Sequence, residues 1–187
     1  MKRIKRGLLL GLWLLLPMLA LEARGSHEDV WLLVDEASAT LYVYRGEREI
    51  ERFHPIALGR TGTARLHMRG DSKKPTGEFR INWINYDSDF NIFLGLNYPT
   101  LEHAREAEQL GVLSSEAFND YLSYYRRHGN PPQNTVLGGN IGIHGIGEGD
   151  PQIHAQFNWT EGCVAVTNRQ IEKLANWVEL GTKVIIR

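Results

Sequence analysis

The chain has 187 residues, of which 42% are hydrophobic and 23% charged, with a formal net charge of −1 at pH 7. Residues 1–25 carry five basic residues and one acidic one, so their removal leaves −5, a balance that excludes an electrostatic footprint for nucleic acid. Cys163 is the only cysteine, which excludes a disulfide within the chain.

Met1-Lys2-Arg3-Ile4-Lys5-Arg6 is a basic start, and Gly7 to Leu21 is an apolar stretch of 15 residues interrupted only by Pro17. A membrane span needs about 20 apolar residues, so the segment suits the hydrophobic region of an export signal. Ala23-Arg24-Gly25 offers a small-x-small cleavage site before Ser26, the alternative being a retained N-terminal anchor. Residues 26–187 have the length of one domain closing one core. No later segment is apolar and long enough to cross a bilayer, so the expected product is an exported, periplasmic domain.

Val30–Asp35, Thr40–Tyr44 and Ile50–Leu58 read as short strands, the first two joined by the turn-like Glu36-Ala37-Ser38-Ala39. Gly59 to Gly77 is glycine-rich and basic and reads as a loop, after which Phe79–Ile84 resumes as strand. From Asn97 to Gly139 the pattern turns helical. Thr100 can cap a helix over Leu101–Leu110, closed by Gly111. Ser114 or Ser115 can cap a second, with Phe118, Tyr121, Leu122 and Tyr125 at i, i+3, i+4 and i+7. About 40 residues are too few for an independent core, so 97–139 reads as a helical insertion. Asn140–His144 and Cys163–Val166 read as strands separated by an irregular loop at Gly147–Pro151. Thr167 with Gln170 resembles a capping box for a helix over Arg169–Glu179, and Lys183–Ile186 closes the chain as strand. The expected fold class is mostly β with helices packed on it.

The chemistry concentrates late in the chain. In an oxidising compartment a lone cysteine without a partner is retained for its reactivity or buried as a small hydrophobe. Cys163 follows Gly162 within Trp159-Thr160-Glu161-Gly162-Cys163-Val164, nineteen residues after His144-Gly145. A strand-borne imidazole within reach of the thiol would raise its thiolate fraction. The backbone N–H groups around Glu161, Gly162 and Cys163 are then natural donors for an oxyanion. No Asp or Asn is spaced so as to orient His144; a backbone carbonyl could do so.

Other titratable residues have plainer readings. His54, His67, His103 and His128 read as surface or satisfied core positions, whereas His154, between the two motif halves, can border a cleft. His144, Glu148, Asp150 and His154 do not follow a known zinc spacing, so no metal is expected. Arg60, Arg65, Arg69, Lys73 and Lys74 form a basic loop, either a solvated surface or a contact for carboxylates of an anionic polymer. Tyr98, Tyr121, Tyr124 and Tyr125 read mostly as core. A papain-like peptidase would place its cysteine early at a helix start with the histidine downstream, the reverse of the order here. A catalytically inactive binding module remains as the non-enzymatic alternative, and slow alkylation of Cys163 at neutral pH would favour it.

His144-Gly145, Thr160-Glu161-Gly162-Cys163-Val164 and Asn168 resemble the signature of the L,D-transpeptidases with a YkuD-type catalytic domain. Gly70-Asp71-Ser72-Lys73-Lys74-Pro75-Thr76-Gly77-Glu78-Phe79 is similar to that family's Thr-Pro-x-Gly-x-Phe loop, and the opening strands are similar to its start. Glu161 and Ala165 stand where many members have His and Arg. That departure, with Tyr98-Pro99 and the Ala/Arg/Glu-rich helix after it, looks more like a YafK-like branch. The resemblance implies a β-sandwich or barrel-like domain and a ping-pong acyl transfer without cofactor. In it Cys163 attacks the carbonyl of the L-centre of a diamino acid at position three of a peptidoglycan stem peptide. It implies Gly162 and Cys163 at the oxyanion, and Gly145, Thr160, Glu161, Asn168, Tyr98 and His154 near substrate. It also implies a hydrolytic alternative, an L,D-carboxypeptidase releasing D-alanine, or a hydrolase releasing a wall-linked peptide or lipoprotein.

Overall fold

The computed structural model describes residues 29–187, so the expected export signal lies outside the described residues. In chain order the elements are β1 (Val30–Asp35), β2 (Thr40–Arg45), β3 (Arg48–Phe53), β4 (Thr63–Ala64), β5 (Lys74–Pro75), β6 (Gly77–Ser88) and β7 (Asn91–Leu96). There follow α1 (Leu101–Gln109), α2 (Ser115–His128), β8 (Gly142–His144), α3 (Pro151–Gln156), β9 (Val164–Ala165), α4 (Asn168–Ala175) and β10 (Lys183–Ile186). The fold is mostly sheet, at 34% strand against 23% helix.

Local chemistry accounts for the helix boundaries. Thr100 accepts a hydrogen bond from the His103 N–H to start α1, and Ser114 accepts from Ala117 N–H to start α2. Gly129, at φ +70°, ends α2 in the left-handed conformation that a Cβ disfavours. Thr167 and Gln170 form the expected capping box at α4. Four elements escape the sequence reading, two of them the short parallel pair β4 and β5, which lies within the stretch 59–77 expected as a loop. β7 pairs antiparallel with β6, and α3 forms inside the expected irregular loop, with Asp150 capping and Pro151 in the first turn.

Eight strands form one sheet in the order β3-β2-β1-β10-β6-β7-β8-β9. Beyond β3, at one edge, the chain crosses to the other edge, where Ala57 bridges Ala165 of β9 and Gly59 bridges Thr160. The sheet therefore curls so that both edges are served by one continuous segment, which protects β9 from remaining an open edge. The enclosed core includes Leu32, Val34, Leu41, Val43, Phe79, Ile81, Leu94, Ile143, Val164 and Val184, each 1% exposed or less. α1 and α2 sit between β7 and β8, and α4 packs on β7 and β8. Covering this core is the main stabilising term, at roughly 25 cal/mol per Å² of apolar surface removed from water.

Candidate active site

β8 and β9 run parallel, with Ile143 opposite Val164 and His144 opposite Ala165. One step back, the same register sets Cys163 beside Gly142. Because strand side chains alternate between faces, Cys163 and His144 share a face. Both line a single cleft of about 590 Å³, together with His67, Asn140, Phe93 and Trp159.

The imidazole of His144 is 2% exposed and caged by three aromatic rings. Phe93 stacks on it at 5.7 Å, Phe90 tilts over it at 4.3 Å, and Trp159 meets it edge-on at 5.8 Å. Nδ1 lies 2.6 Å from the Gly145 carbonyl oxygen. A carbonyl only accepts, so Nδ1 carries the proton and Nε2 keeps a lone pair. Burial among the rings pushes the pKa of His144 down to about 4, against the opposing pull of the Gly145 carbonyl.

Cys163 is half-buried, and burial of its thiol pushes the pKa up to about 11, opposed by the Gly142 backbone and reinforced by the charge of Glu161. Its Sγ donates to the Asn140 carbonyl oxygen at 3.5 Å. The resting pair is thus a neutral thiol and a neutral imidazole, not an ion pair. Slow alkylation at neutral pH follows from that burial alone, so the criterion expected to mark an inactive module does not discriminate.

The turn before Cys163 is built by Thr160, whose Oγ1 donates to the Cys163 carbonyl at 2.7 Å and accepts from Gly162 N–H at 3.3 Å. Thr160 N–H donates to Leu58 O and Arg60 N–H to Thr160 O, which ties the turn to the segment crossing from β3. Gly162 has φ +133°, and a Cβ there would stand 2.8 Å from the Lys73 carbonyl oxygen, so only glycine fits. This also corrects the oxyanion expectation at Gly162, whose N–H is taken by Thr160. The Cys163 N–H has no acceptor among the described residues.

Residues 29–186 match the family described as the L,D-transpeptidase catalytic domain, YkuD. The chain belongs to this family. Among solved structures it is similar to Bd1075 of Bdellovibrio bacteriovorus, with 22% identity, TM-score 0.54, and coverage of 86% of this chain and 48% of that one. It is also similar to the helical cell shape determining protein Pgp2 of Campylobacter jejuni, with 19% identity, TM-score 0.56, and coverage of 85% and 47%. The chain therefore spans about half the length of the solved structures it matches. No curated protein matches its sequence.

Within this family fold, several residues expected near substrate lie elsewhere. Tyr98 is 0% exposed and donates its hydroxyl proton to the His67 carbonyl at 2.6 Å, so it is a core strut and not a wall of the cleft. Gly145 and Asn168 stand behind the imidazole. Asn168 Oδ1 accepts from Ile146 N–H and Gly147 N–H, both at 2.9 Å, and its Nδ2 donates to the Gly147 carbonyl at 2.8 Å. A Cβ on Gly145 would meet Asn168 Oδ1 at 2.7 Å, so this glycine permits the close approach. Asn168→Ala leaves three backbone groups unpaired. At about 1 kcal/mol each, it is expected to lower stability by about 2–4 kcal/mol, read as a lower midpoint in urea unfolding.

Glu161 lines the cleft and pairs with Arg60 at 3.1 Å, an exposed contact of little energetic weight. His154 is 3% exposed and lines a separate recess. His67, read from sequence as an ordinary histidine, lines the cleft and contacts the Lys73 carbonyl and Asp71 at 2.8 Å each. The supposed basic loop is not one charged surface. Arg65 pairs with Glu102 and Glu106 of α1, and Lys74 is 0% exposed with its Nζ unpartnered. Phe90, Phe93 and Asn140 also went unassigned in the sequence, since their place at the cleft depends on strand pairing. No group of three or more metal-ligating side chains converges among the described residues.

Proposed function

We propose that the chain is a periplasmic enzyme of peptidoglycan metabolism that transfers the acyl group of a stem peptide through a thioester on Cys163. The observation that carries this reading is His144 with Nδ1 held by the Gly145 carbonyl, leaving Nε2 as the basic atom in the cleft that also holds Cys163. As Sγ attacks the peptide carbonyl, its proton leaves Asn140 O for His144 Nε2, and the Sγ–C bond forms. The oxyanion is met by the Cys163 N–H. The C–N bond to the terminal amino acid then breaks, and the imidazolium returns the proton to the leaving amine. In the second half, an acceptor amine gives its proton to Nε2 and takes the acyl group, and the thiolate is reprotonated by the imidazolium.

Supporting this reading are the family membership and the fit of Gly162 and Thr160 to a turn that presents the thiol. The test is incubation with a defined tetrapeptide muropeptide, with and without an added amine, followed by product masses. A cross-linked dimer or amine adduct is expected. Loss of the terminal amino acid with no adduct identifies water as the acceptor and the chain as an L,D-carboxypeptidase. No turnover, with no mass gain on Cys163, overturns the acyl-transfer reading.

A further inference from the structure

The turn that presents Cys163 offers an oxyanion its own Cys163 N–H, while the Gly162 N–H is taken by Thr160. Sites that stabilise such a charge combine several fixed donors, from backbone or from side chains. Several polar side chains line the cleft, and most are engaged elsewhere. The Arg69 guanidinium donates to Asn134 Oδ1 and to the Thr135 carbonyl. The Gln133 amide donates to the carbonyls of Tyr98 and Pro131. His67 carries its proton on Nδ1, facing the Lys73 carbonyl and the Asp71 carboxylate, so its Nε2 can only accept.

Asn140 differs. It is exposed and lines the cleft, and its side-chain amide makes no hydrogen bond among the described residues. Its carbonyl oxygen is the acceptor for Cys163 Sγ at 3.5 Å, and a side chain this short cannot carry its amide far from that sulfur. The backbone of Asn140 has φ +54°, a left-handed conformation in which asparagine is among the few side chains tolerated. Its N–H donates to Gln133 Oε1 at 2.7 Å, which holds that conformation in place. Glycine takes such a φ at no steric cost. What asparagine adds over glycine at this position is an amide, and backbone strain retained at a cleft points to a role there.

We propose that Asn140 is a catalytic residue whose Nδ2–H donates a second hydrogen bond to the oxyanion. As Sγ bonds to the carbonyl carbon, the C=O electron pair moves onto oxygen, and the Cys163 N–H and the Asn140 amide meet that charge. When the bond to the leaving group breaks, the pair returns to re-form C=O. No proton passes through the amide; His144 moves the protons. The role towards a stem peptide rests on the proposed function, whereas the role towards any acyl group on Cys163 does not.

The deciding experiment compares two reactions of Cys163 in the whole protein, each followed by mass spectrometry of the peptide that contains it. Acetylation by p-nitrophenyl acetate passes through an oxyanion; alkylation by iodoacetamide displaces iodide and forms none. Asn140→Gly keeps the left-handed backbone and removes the amide. Its acetylation is expected to slow by about tenfold or more, with the alkylation rate and the urea midpoint unchanged. Asn140→Asp, which puts an acceptor in place of the donor, should acetylate no faster than the glycine variant. Acetylation at the wild-type rate in either variant overturns the proposal. So does a parallel loss of alkylation, which would make Asn140 a positioning residue for the thiol. Should the glycine variant fail to fold, the aspartate variant decides by the same two rates. With a tetrapeptide donor, Asn140→Gly should lower kcat by about 10²–10³-fold and leave KM unchanged. If the wild type acetylates but turns over no tetrapeptide, the proposed substrate fails while the acetylation series still decides the role of Asn140. A wild-type Cys163 that takes up no acetyl group overturns both.

Discussion

Cys163→Ala is expected to reduce release of the terminal amino acid from a tetrapeptide donor by about 10⁴-fold or more, the scale seen when a covalent nucleophile is removed. No second thiol exists to take over, since Cys163 is the only cysteine. The substitution removes one sulfur whose hydrogen bond to Asn140 O, at 3.5 Å, comes from a weak thiol donor, so the urea midpoint should move little. Mass spectrometry of wild-type protein quenched during turnover should show an acyl adduct on the peptide containing Cys163. The variant should show none. An adduct elsewhere, or retained turnover in the variant, removes the sulfur from the mechanism.

His144→Asn is expected to slow acylation by about 10²–10⁴-fold through loss of the general base. The pH profile separates that role from a structural one. In wild-type protein burial lowers the His144 pKa from the ordinary 6.5 to about 4, so the imidazole remains an acceptor well below the usual histidine range. Acylation should therefore hold level from neutrality downward and fall only as pH approaches about 4, where the ring takes a proton. In His144→Asn that acid limb should vanish, and the residual rate should rise with pH as the thiol, raised to about 11, ionises by itself. An acid limb near 6.5 in the wild type would show that the aromatic cage does not control the base.

How much of this was legible beforehand divides by the range of the interactions involved. Thr100, Thr167 and Gln170 cap helices through contacts three residues away, and both caps were readable from residue types. β1 and β10 appear at the bounds expected from their β-branched runs. β7 is readable only in part: Asp87-Ser88-Asp89 and Asn91, at φ +73°, mark the turn before it, but its extent is set by pairing with β6 and β8. α3 was missed for a different reason. Glycine and proline in Gly147–Pro151 suggested a loop, whereas Pro151 occupies a first helical turn, where its missing N–H costs nothing. Tyr98 looked like a cleft residue by resemblance, and its burial against His67 and Phe79 placed it in the core.

The amino-acid order alone determined which atoms have reactive chemistry: one thiol after a glycine and an imidazole beside another glycine, nineteen residues apart. Their charge state was decided only in three dimensions. Phe90 and Phe93, at the β6–β7 hairpin, meet Trp159, from the turn before β9, to exclude water from His144, and desolvation acts through space without regard to sequence separation. The place of Asn140 has the same origin, since only the folded chain sets its carbonyl against Sγ.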